Sequence, residues 1–250
     1  MAKSSQSTSG VSLEAFLMGT VDFDACLALQ QRLVYELSGR DDGQVALLLC
    51  EHPPLITIGR AGSWQHVHLN QRERTSRGLA VRWVNRGGPA ILHAPGQLAV
   101  YPIFPLDWHE IAIGTFLERF RSGMQEVLSE LGIQSTTRPG SFDLFGRTGQ
   151  LAMTGVAVKN WTTYYGMYLN VRPPSHLLSV VSSDPEENQA TSTLHRERRL
   201  PLSMTRVREA VVRHLATSFG CQRFHVYSGH PLFPSVLHAN SHSQTAARVG

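Results

Sequence analysis

The chain has 250 residues, 42% hydrophobic and 17% charged, a balance that allows one sizeable core and excludes wholesale disorder. Its 23 Lys and Arg against 19 Asp and Glu give a formal charge of +4, but they are scattered without a basic run, which argues against a nucleic-acid surface. Cys26, Cys50 and Cys221 are widely spaced without a C-x-x-C and no long apolar stretch or leader occurs, so a disulfide framework, a zinc site and a membrane span are not expected, whereas a reducing cytoplasm is.

Residues 1–10 are Ser-rich and read as a tail. Cys26, Leu29, Leu33 and Leu37 recur at helical spacing, and Gly39 stops that first amphipathic helix. "VALLLCEH" and "LITIGR" read as strands joined by His52-Pro53-Pro54, because proline cannot donate to a strand ladder. "LAVRWVN" is a further strand, leading into "RGGPAILHAPGQLAVYPI". There Gly87 and Gly88 permit positive φ or close approach of a ligand, and Arg86 offers a fork of donors. A plain hairpin turn with a half-buried His93 would account for the same residues. Pro95-Gly96 make a second turn, followed by an alternating strand.

Ile113, Leu117, Phe120, Met124, Val127 and Leu131 predict a long helix ending at Gly132. "SFDLFGRTGQLAMTGVAVKNWTTYYGMYLNV" reads as three strands with turns at Gly146 to Gly149 and at Lys159-Asn160. A last helix runs from an N-cap at Ser203 to Phe219, with Gly220 as its stop. From 229 onward turn formers and polar residues predominate, so the expected division is a domain over 11–228 between tails 1–10 and 229–250. Grouped strands interrupted by long helices imply an α+β fold, a mixed and largely antiparallel sheet with helices packed on one face.

Candidate chemistry is sparse. His66 and His68 would project to one side of a strand, but no carboxylate or cysteine cluster accompanies them and no metal is expected. There is no G-x-S-x-G, and "RPGSFDLFG" is explained as a turn into a strand. The residues alone point to a Gly-rich, Arg-bearing loop on an α+β domain.

The order of motifs says more. "ALQQRLV", "LLLCEHPPLITIGRAG", "RGGPAILHAPGQLAVYPI" and "GVAVKNWTTYYGMYLNV" together resemble the octanoyltransferases of lipoate synthesis, relatives of lipoate and biotin protein ligases. The resemblance implies that fold, and transfer of an octanoyl group from acyl carrier protein to a lysine of lipoyl domains of 2-oxoacid dehydrogenase complexes or of the glycine cleavage H protein. It implies a monomer with no cofactor. Both partners are small acidic proteins, which suits a mildly basic chain. The resemblance assigns Arg86, Gly87, Gly88, Pro89, Ala90, Ile91, Leu92 and His93 to the acyl pocket, together with Met153, Thr154, Gly155, Gly166, Met167 and Tyr168.

The family's reactive positions are altered. Its lysine position is Gln150, its cysteine position is Ser183 with Ser182 as the neighbour that one shorter spacing would select, and a histidine common before "G-x-x-L-N-V" is Tyr165. A cysteine needs a neighbouring cation to become thiolate, and glutamine supplies none; a serine needs a positioned base. Lys159, nine residues past Gln150 on an extended strand, is roughly 30 Å away. Cys50 reads as a buried structural thiol, and His93 as a possible base toward Ser183 or an incoming amine. Three readings follow: an acyltransferase with altered chemistry; an inactive relative that binds an acyl group or lipoyl domain without turnover; and an ATP-dependent lipoate ligase, which would also need a lysine near Gln150.

Overall fold

A computed structural model describes residues 11–182, 190–198 and 200–233 of the chain. Strand β1 (Ser12–Thr20) and strand β2 (Val45–Glu51) pair in parallel, joined by helix α1 (Phe23–Ser38), whose N-cap Asp22 accepts from the Ala25 amide at 2.9 Å. The His52-Pro53-Pro54 turn then carries the chain out of this sheet into β3 (Leu55–Ile58). A single 3-10 turn (Trp64–His66), helix α2 (Gln71–Ser76), β4 (Ala80–Trp83) and β5 (Ala90–His93) complete a small sheet of order β4-β3-β5.

Strand β6 (Gln97–Ile103) returns beside β2, and helix α3 (Ile113–Glu130) follows. Strands β7 (Leu144–Gly146), β8 (Gly149–Lys159) and β9 (Thr162–Asn170) form the antiparallel meander read from the sequence. Helices α4 (Ser175–Leu178), α5 (Leu194–Arg198) and α6 (Met204–Ser218) precede the edge strand β10 (Arg223–Ser228). The large sheet has the order β10-β1-β2-β6-β9-β8-β7.

Helices cover both faces of this sheet, not one as the sequence suggested. Side chains alternate along a strand, so Val45, Leu47 and Leu49 enter the layer built by Phe116, Phe120, Val211 and Phe219 of the α3 and α6 region. Ala46, Leu48 and Cys50 enter the opposite layer, with Cys26, Leu29, Leu33 and Leu37 of α1. The uninterrupted apolar run of β2 is the signature of a strand buried on both sides. His66 also departs from expectation: it lies in the 3-10 turn and is buried, accepting from the Ser63 amide at 3.1 Å, while His68 is exposed. Beyond β10 the Gly229 amide still bonds the Leu17 carbonyl at 2.8 Å, and 1–10 and 234–250 lie outside the described residues.

Candidate active site

The Gly-Gly loop fastens the small sheet to the large one. Arg86 is fully buried, and its guanidinium donates to the Thr57 carbonyl at 3.0 Å, to Thr57 Oγ1 at 2.7 Å and to the Gly87 carbonyl at 2.9 Å. No carboxylate among the described residues pairs with it, and burial lowers its affinity for the proton. Gly87 donates to the Val156 carbonyl at 3.1 Å. A Cβ on Gly155 would stand 2.8 Å from the Gly87 carbonyl, so β8 and the loop meet backbone to backbone. Gly88 has φ +76, the left-handed region glycine tolerates.

His93 is held from within the same network. A guanidinium only donates, so Thr57 Oγ1 accepts from Arg86 and is also hydrogen-bonded to His93 Nε2, 2.9 Å away, while His93 Nδ1 is buried without a partner among the described residues. Complete burial, with His52 and Arg86 adding repulsion, holds the imidazole well below its usual pKa. Nε2 is therefore engaged by Thr57, and the ring packs under Phe23 and Tyr168.

Beyond Leu92 lies a narrow cleft between the sheets, lined by Leu92, Gln97, Met153, Asn170, Leu178, Val181 and Thr191, with a cavity volume of about 10 Å³. That is room for roughly one water. Gln97 Nε2 donates to the Leu92 carbonyl at 2.8 Å and to Asn170 Oδ1 at 2.9 Å, leaving Asn170 Nδ2 a buried donor with no acceptor among the described residues.

Ser183 lies outside the described residues, but both ends of its segment are placed. Val181 bridges Val67, the Ser182 amide donates to the His66 carbonyl at 3.0 Å, and Ser182 Oγ is buried without a partner among the described residues. At the other end Thr191 pairs with Gln150, through Gln150 N to Ala190 O and Ser192 N to Gln150 O, both 2.9 Å. Val181 and Thr191, described residues on either side of position 183, line the same cleft.

Asp143 is the residue that sequence reading missed. Gln150 Nε2 donates to its Oδ2 at 2.8 Å and the Thr154 amide to its Oδ1 at 2.7 Å. Burial raises its carboxyl from 3.8 to about 6, against the lowering pull of those two bonds and of Arg86. Gln150, which the resemblance aligns with a lysine, thus presents an amide backed by a carboxylate. An acid between Phe142 and Leu144 at the start of an apolar strand was the available signal.

The other expected lining residues divide. Ala90 and Leu92 face the apolar layer beneath Leu177, Val180 and Val181, while Ile91, Met153 and Tyr168 face that of α1. Met167, one residue before Tyr168, points into the core of α3 and α6 on the far side of the sheet. Thr154 and Gly155 contact the Gly-Gly loop, and Gly166 lies against the Val100 carbonyl with no room for a side chain. Tyr165 keeps φ 55, its amide bonded to Gln30 Oε1 at 2.8 Å. Lys159 and Gln150 stand near opposite ends of β8.

This fold, a mixed sheet with a small three-stranded sheet fastened to it, is shared with solved lipoate-protein ligases. It covers 87% of this chain in superposition on a lipoate-protein ligase A bound with ATP, with TM-score 0.68, 14% identity and 90% of that chain covered. The bipartite lipoate protein ligase from Thermoplasma acidophilum gives 0.66, 14% identity, and 87% and 86% coverage. Residues 22–216 match the model of the lipoyl protein ligase A/B catalytic domain, and the chain belongs to that family. Among its relatives are the octanoyltransferase of Chloroflexus aggregans, 34% identical over 64% of this chain and 74% of the relative, and that of Roseiflexus sp., 29% identical over 83% and 87%.

Proposed function

We propose that this protein is an octanoyltransferase that moves an octanoyl group from acyl carrier protein to a lysine of lipoyl domains, with Asp143 and Gln150 in place of the usual cation. One observation carries the reading: Val181 and Thr191, which flank Ser183 in the sequence, line one cleft with Leu92 of β5 and Met153 of β8, and Thr191 is paired to Gln150. The cleft is smaller than a medium acyl chain, so the chain enters by displacing flexible side chains, Met153 foremost.

In this reading the Ser183 hydroxyl oxygen attacks the thioester carbonyl carbon, and its proton passes to the Asp143 carboxylate. The carrier thiolate leaves and takes that proton, giving an oxyester. The lysine amine then attacks the oxyester, an amide forms, and the serine oxygen recovers a proton. Asn170 Nδ2 is the donor for the oxygen that becomes charged in each step. In this reading Asp143 takes the base role, and His93, with Nε2 engaged by Thr57 Oγ1, orders the loop.

The test is octanoyl-acyl carrier protein incubated with a lipoyl domain and the purified chain, followed by intact mass. An octanoyl adduct on the lipoyl domain that falls to background in Ser183→Ala supports the proposal; no adduct above the uncatalysed rate overturns it. Gln150 at the lysine position favours a second reading, an acyl- or lipoyl-domain-binding relative without turnover. Saturable association with a lipoyl domain, with no transfer, distinguishes it.

A further inference from the structure

Three donor atoms that the sequence keeps apart meet on the α1 face of the large sheet. Cys26 comes from α1, Cys50 from β2 and His52 from the turn after it, and all three are buried. Cys26 Sγ and Cys50 Sγ are 3.9 Å apart, Cys50 Sγ and His52 Nε2 are 3.6 Å apart, and all three atoms lie within 4.8 Å of one another. A tetrahedral or trigonal metal with bonds of about 2.3 Å to sulfur and 2.0 Å to nitrogen holds such atoms roughly 3.5–4.0 Å apart. Two of the three edges already have that length. We propose that Cys26, Cys50 and His52 form a buried metal site that takes one zinc ion and staples α1 to β2.

The surroundings suit a ligand set. His52 Nδ1 donates to the Val21 carbonyl at 2.8 Å, which fixes the proton there and leaves Nε2 as the unprotonated nitrogen beside Cys50 Sγ. A backbone carbonyl on the far nitrogen is the usual support of a metal-bound imidazole. Gln30 Nε2 stands 3.8 Å from Cys26 Sγ and supplies a donor to a thiolate. The Tyr101 hydroxyl, 2.8 Å from His52 Nε2, is the oxygen placed to complete four-coordination or to donate to a sulfur once the metal holds that nitrogen.

Charge and softness select the ion. Binding releases two thiol protons to solvent, and a divalent ion with two thiolates and a neutral imidazole carries no net charge, the condition a fully buried site favours. A monovalent ion would leave one negative charge buried, and calcium or magnesium prefers oxygen. With no opening to solvent at these residues, loading accompanies folding.

The test uses the full chain refolded with Zn²⁺ or Co²⁺ and freed of excess metal by gel filtration. The expected results are one metal per chain by elemental mass spectrometry, and a thiolate-to-cobalt charge-transfer band in the near ultraviolet. That band should be kept in Cys221→Ala and lost in the Cys26→Ala, Cys50→Ala double variant. Should the double variant not fold, zinc-edge X-ray absorption on the wild-type chain decides, with two sulfur neighbours and at least one nitrogen expected. A metal-free chain without the cobalt band, a band that survives the double variant, a shell of nitrogen and oxygen only, or a Cys26–Cys50 disulfide in the intact mass would each overturn the proposal.

Discussion

Asp143 combines a buried carboxyl at about 6 with two hydrogen bonds that keep its ionised form usable. Its folded value lies above the usual 3.8, so its contribution to stability is fully present below pH 3.8 and is lost as the pH rises through about 6. Each pKa unit is worth about 1.4 kcal/mol, so Asp143→Asn is expected to gain roughly 2 kcal/mol on the wild type between pH 4 and pH 8, read by denaturant unfolding at the two pH values. The same substitution should abolish transfer, and the wild-type kcat/KM should rise with an apparent pKa near 6; a flat profile would remove Asp143 from the chemistry. Asn170→Ala removes the donor that has no acceptor among the described residues, and about a hundredfold loss in kcat with little change in KM is expected from steady-state kinetics. None of this was legible locally. Asp143 looked like a turn residue and Thr57 like any residue of a short strand, because their partners lie 7 to 36 positions away.

Elements were the better-read level. The α1 and α3 periodicities and the β7-β8-β9 meander follow from apolar spacing and turn residues, and the structure keeps their boundaries within one or two residues. Strand β10, exposed along its whole length, carries no burial pattern to read, and α2, α4 and α5 are too short for periodicity to show. The junction of the two sheets depends on glycine. A methyl on Gly155 would meet the Gly87 carbonyl at 2.8 Å and Arg86 Cδ at 2.9 Å. Gly155→Ala is therefore expected to cost about 1–3 kcal/mol of unfolding free energy by displacing the Arg86 loop. Gly114→Ala, in open space in the first turn of α3, should be neutral or stabilising by about 0.5 kcal/mol in the same experiment.

At the scale of the whole molecule, the proposed function has the formal charge of +4 attract a small acidic carrier at long range. Transfer measured at subsaturating carrier should fall several-fold as salt rises from about 50 to 500 mM, where the screening length shrinks from above 10 Å to below 5 Å; salt-independent kcat/KM would mean that encounter is not steered. The sequence by itself determined the three long helices α1, α3 and α6, the strands β2 to β4, β6 and the β7-β8-β9 meander, the mixed and largely antiparallel sheet and the family, because apolar period and motif order are written in consecutive residues. The tertiary structure alone decided that helices cover both faces of the sheet, that His93 Nε2 is engaged by Thr57, that Asp143 stands behind Gln150, and that Cys26, Cys50 and His52 converge. Each of those facts depends on which strands become neighbours and on how far water is excluded between them, and neither can be read from spacing along a single chain.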